Sequence, residues 1–76
     1  MTAFNLSEFV RVLAGLEGIP EPLISAVVER AEAARRACVR AQGYTILGDG
    51  LRVLARRVVA RAVSDHRRGV LERRCV

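Results

Sequence analysis

Between Pro20 and Gly43 the chain places apolar or small residues at Ile24, Val27, Ala31, Ala34, Cys38 and Ala41, in strictly alternating steps of three and four. That spacing keeps one stripe of a helix turned toward one neighbour. A strand cannot use it, because strand side chains change face at every residue. The segment is therefore expected to be a helix beginning around Pro20 to Pro22, where proline is tolerated in the first turn. It should run to about Gln42, with Gly43 as the residue just past its end. Ile and Val give way to Ala and Cys along the stripe, so a second helix can approach closely at its far end. Glu32 and Arg36 are spaced for an i,i+4 ion pair on the outer side.

Seventy-six residues make a single domain, 1–76, too short to bury a large core alone. Chains of this size commonly gain stability from disulfides, a metal or a second chain. Cys38 and Cys75 are too few for a disulfide scaffold, and with His66 they lack the number and spacing of a zinc site. No metal or cofactor is expected. A second copy is the remaining source, so Ile24, Val27, Ala31, Ala34, Cys38 and Ala41 are the expected homodimer interface. At 51% hydrophobic residues the composition is that of a folded chain.

A shorter helix should start at Asn5. Asn5 and Glu8 have capping-box spacing, and Phe4 with Phe9 occupy the positions of a hydrophobic staple. Leu6, Phe9, Val10, Leu13 and Leu16 make its apolar side. Gly15, Gly18 and Pro20 are expected to end it, leaving a lid over the rest. After the second helix, GYTILGDG (43–50) reads as a turn between antiparallel helices. Tyr44–Leu47 could be a short strand, but it would lack a partner. The glycines there are no phosphate cradle, since neither a preceding strand nor a GxxxxGK[ST] pattern accompanies them.

A third helix follows. Leu51, Ala55, Val58, Val59, Ala62 and Val63 cover one side, with Leu54 at the edge. Arg57, Arg61 and Arg68 fall within about 40° of one another at roughly 100° per residue. Arg56, Arg67 and Arg74 form a second row roughly 100–120° away, continued at its edge by Arg52. Unbroken, the stretch from Arg56 to Arg74 would rise about 27 Å, although Gly69 weakens its distal part. The fold class is all-α: one short helix and two longer antiparallel ones in a dimeric bundle.

All 13 basic residues are arginine, and the net charge is +5. Its distribution is uneven, with nine arginines against three acids from residue 39 onward. A positive half of this kind points to phosphate, an acidic protein or an anionic surface. Enzymatic chemistry is not expected. Ser64, Asp65 and His66 are adjacent on one helix and point about 100° apart, so they cannot form a relay. Glu29 and Glu32 lie among arginines and read as a solvated face.

Arginine clamps phosphate oxygens with two parallel hydrogen bonds. The third helix has no Asn, Gln or Lys to read base edges, which favours recognition of backbone and duplex shape. The long turn and long last helix do not suit a helix-turn-helix. The leading expectation is double-stranded nucleic acid, RNA before DNA, bound by Arg52, Arg56, Arg57, Arg61, Arg67 and Arg68. The alternative is a small dimeric adaptor for an acidic protein. A membrane-surface role is disfavoured, because the third helix offers no Trp or Phe anchor. Met1–Ser7 lacks the order of a signal peptide, and no apolar run approaches the roughly 20 residues of a membrane span. The expected setting is the cytoplasm or another intracellular compartment.

GIPEPLISAV (18–27) and the arginine-rich stretch Leu51–Arg68 resemble the B2 proteins of nodaviruses. The resemblance implies a helical dimer that lies along double-stranded RNA and suppresses RNA silencing. The YTILGDG loop and the lack of lysine differ from that family, and the likeness assigns no role to individual residues.

Overall fold

The computed structural model describes residues 4–43 and 48–69, which contain three helices and no strand. These are α1 (Leu6–Leu16), α2 (Glu21–Gln42) and α3 (Asp49–Arg67). Arg74, Cys75 and the insert Tyr44–Leu47 lie outside the described residues.

Local chemistry accounts for the helix ends. Asn5 is extended, and its side-chain oxygen accepts the Glu8 backbone N–H at 3.1 Å. Phe4 folds back on Phe9 with ring centroids 5.3 Å apart, closing the staple over the entry to α1. The helix passes through Gly15 rather than ending there, and stops at Leu16. Gly18, at φ +85°, makes the reversal that leads to Ile19. Pro20 caps α2 and Pro22 lies in its first turn, where no backbone N–H is lost. Gly43 closes α2 in the left-handed conformation, its N–H donating to the Val39 carbonyl. The third helix ends at Arg67, just before the turn at Gly69. Among the described residues the straight basic track of α3 therefore runs from Arg56 to Arg67. Arg56 to Arg67 rises about 16 Å.

Three pairs of contacts set the directions of the helices. Arg30, midway along α2, meets Asp65 near the end of α3, well away from the 43–48 connection, so these helices are antiparallel. Phe4, before α1, lies against Arg52 in the first turn of α3. Leu13 and Glu17 border the same groove as Val59, Val63 and Arg67, so α1 runs alongside α3 in the same sense. The result is an up-down-up bundle.

The core draws on all three helices. Leu6, Val10 and Ala14 come from α1, Ile24, Val27 and Ala31 from α2, and Leu51, Leu54, Ala55, Val59, Ala62 and Val63 from α3. Ile19 fills in from the α1–α2 turn. Burying each Leu, Ile or Val contributes roughly 1.5–3 kcal/mol before the entropy of ordering is set against it. Because α1 packs on both long helices, it is one wall of the core rather than a lid. This changes the meaning of the α2 stripe. Ile24, Val27 and Ala31 are buried against the chain's own helices, and are not available to a second copy without opening the fold. Ala34 and Cys38 are half-buried against the same core, while Ala41 is exposed.

Candidate nucleic-acid interface

The amphipathic pattern of α3 determines which side chains can meet a ligand. Its apolar arc is buried, and the remaining arc forms an exposed ridge. Val53, Ala60 and Ser64 are exposed along the crest. At roughly 100° per residue they fall between two arginine rows, Arg57, Arg61 and Arg68 on one flank and Arg56 and Arg67 on the other. All five arginines are exposed. The crest side chains are short, so a flat anionic surface can approach while longer guanidinium groups reach around it from either flank.

The arginines differ in what already holds them. Arg56, Arg57 and Arg67 form no ion pair among the described residues. Arg52 stands apart from the ridge. Its guanidinium lies 5.5 Å from the centre of the Phe4 ring and 3.4 Å from the Asp49 carboxylate. Much of its interaction is thus with its own chain, joining the start of α1 to the start of α3. On α2, Glu32 accepts from Arg35 at 3.0 Å, one residue short of the expected partner Arg36. Arg36 makes no ion pair among the described residues.

What the spacing did not show is the ion cluster around Asp65. Asp65 is fully buried, the one charged residue in the described core. Arg68 Nη2 donates to its Oδ1 at 2.9 Å, and Arg30 Nη1 donates to its Oδ2 at 3.0 Å. Arg61 Nε lies 3.6 Å from Oδ1. The Arg68 hydrogen bond, together with Arg30 and the charge of Arg61, holds the carboxyl below its ordinary value, against the opposing effect of burial. One negative charge therefore orders three positive ones, and the cluster retains a net charge of +2. Arg61 and Arg68 keep side chains that are 70% and 61% exposed, so their remaining donors still face solvent. The sequence did contain a signal. Asp65 lies four residues after Arg61 and three before Arg68, at the inner edge of the apolar side of α3.

This arrangement also defines the Ser64–Asp65–His66 run. Ser64 is exposed, Asp65 is buried and His66 is half-buried. The Asp65 carboxylate is engaged by arginines from two helices. Among the described residues, no group of three His, Cys, Asp or Glu side chains is placed to hold a metal. No described helix is long and apolar enough to cross a membrane.

No family model matches the chain, and neither a curated protein nor a solved structure matches it.

Proposed function

We propose that the chain binds double-stranded nucleic acid, RNA in preference to DNA, through phosphate contacts along the α3 ridge. The observation that carries this reading is the short-sided crest Val53–Ala60–Ser64 flanked by two exposed arginine rows. Arg57, unpaired among the described residues, and Arg61 make the central contacts, with Arg68 beside them. Arg56 and Arg67 extend the surface. The ridge is broad and has no Asn, Gln or Lys to read base edges, which suits the wide, shallow minor groove of an A-form duplex. Coating duplex RNA in this way is the chemistry of a silencing suppressor, the role implied by the B2 resemblance.

The test is a titration of matched RNA and DNA duplexes across a salt series. Saturable binding whose logarithm falls linearly with log salt is expected, with the RNA duplex bound more tightly. A salt-independent affinity, or no binding at low salt, rejects the ridge as a phosphate surface.

A dimer remains part of this proposal, because two ridges give a longer track than one. With Ile24, Val27 and Ala31 occupied internally, a second copy has the later part of the stripe, Ala34, Cys38 and Ala41. Ala41→Glu probes this contact without placing a charge in the core, since Ala41 is exposed. The expected result is a dimer by sedimentation for the wild type and a folded monomer for the variant. Equal masses for both proteins remove Ala41 from any dimer contact.

A further inference from the structure

On the flank of α3 away from Arg57, a groove of about 400 Å³ runs between α1 and α3. Leu13, Val59, Ala60 and Val63 line it with carbon, and Arg56, Arg67 and Glu17 border it with charge. Next to Leu13 on α1, Val12 is 56% exposed and Leu16 is 78% exposed. We propose that this groove receives one acidic amphipathic helix from a protein partner. The apolar stripe of that helix would lie along Leu13, Leu16 and Ala60, with its carboxylates facing Arg56 and Arg67.

Two observations choose this occupant. The first is chemical: phosphate gains nothing from a Leu, Val and Ala lining, whereas a helix with apolar residues at i, i+3 or i+4, and i+7 buries its stripe there. Arg56 and Arg67 are separated by eleven residues, a rise of about 16 Å, so carboxylates about three turns apart on one helix reach both. The second is electrostatic. Neither arginine has an ion-pair partner among the described residues. The two arginines outnumber the single Glu17 at this border, so charge complementarity favours an acidic partner. The lone Glu17 further predicts a basic residue near one end of the incoming helix.

Helix docking in the groove is separable from the duplex binding proposed above. The two share Arg56 and Arg67 but separate at the apolar lining and at Arg57 and Arg61. The test uses a labelled 14-residue amphipathic peptide with Leu at helical spacing and Glu beside the stripe, and a copy in which Lys replaces Glu. Anisotropy measures affinity, and methyl shifts of Leu13, Val59 and Val63 locate the binding. The acidic peptide should bind at least about tenfold more tightly than the Lys peptide. The Arg56→Glu/Arg67→Glu variant, altered only at exposed positions, should remove that preference. Arg57→Ala/Arg61→Ala should leave peptide binding unchanged whatever it does to duplex binding. Equal affinity for the two peptides, or shifts confined to residues outside the groove, overturns the proposal. So does contact in the free chain between residues 70–76 and Leu13 or Val63, which would make the chain's own end the occupant. Self-association abolished by Ala60→Arg would assign the groove to a second copy and likewise overturn it.

Discussion

Replacing Asp65 with alanine is expected to lower the melting temperature by on the order of 10 °C, a large loss for a polar substitution in a small domain. The carboxylate has no contact with water, and its removal strips an acceptor from guanidinium groups on α2 and α3 at once. Arg61 and Arg68 can turn to solvent, but Arg30 is only 24% exposed and its Nη2 is enclosed without an acceptor among the described residues. Arg30 therefore bears most of the consequence. Adding Arg30→Ala to Asp65→Ala should cost less than the sum of the two single changes, because the double variant leaves no enclosed cation. Additive losses would show that the pair is not coupled.

The acid limb of the stability curve checks the same contact independently. Asp65 has a folded pKa depressed below its ordinary 3.8, chiefly by the Arg68 hydrogen bond and then by Arg30 and Arg61. A depressed carboxyl binds fewer protons in the folded state than in the unfolded one. Its stabilisation is thus present above the unfolded value of 3.8 and is lost as pH falls below it through the folded value. Denaturant melts between neutral pH and about pH 2 should show a steeper acid loss for the wild type than for Asp65→Asn. Parallel acid limbs would remove Asp65 from this role.

The second large effect belongs to the ridge. Arg57→Ala/Arg61→Ala is expected to weaken duplex binding by on the order of 10- to 100-fold at low salt. It should reduce the magnitude of the salt slope by about 1.8, close to 0.9 for each lost phosphate contact. Different sequences should lose affinity by similar factors, since phosphate contacts carry no base information. Arg57 makes no ion pair among the described residues, so its loss should leave the melting temperature nearly unchanged. Arg61 touches Asp65 at the long distance of 3.6 Å, and a small fall is expected from its removal. Unchanged affinity in a folded double variant rejects this row as the binding surface. An affinity loss limited to some sequences would instead indicate base readout.

Much of the architecture follows from local chemistry. Asn5, the Phe4–Phe9 staple, Pro22 and Gly43 set helix boundaries through interactions within a few residues, so their spacing alone is informative. The two arginine rows on α3 are equally legible, because the angle between side chains on one helix depends only on their separation along it. Who covers each helix face is different. The periodicity of Ile24, Val27 and Ala31 requires a neighbour but cannot say whether that neighbour is another molecule or α1 and α3 of the same chain. The folded structure places α1 against both long helices and encloses these residues. Asp65 shows the same boundary between local and tertiary information. Its spacing to Arg61 and Arg68 lies within α3, but Arg30 is 35 positions away, and only the antiparallel return of α3 brings that guanidinium to the buried carboxylate. Helix, cap and charged face were determined by the sequence itself, through periodicity and short-range bonding. The enclosed ion cluster and the α1–α3 groove were decided by tertiary packing, because each is made of residues from different helices.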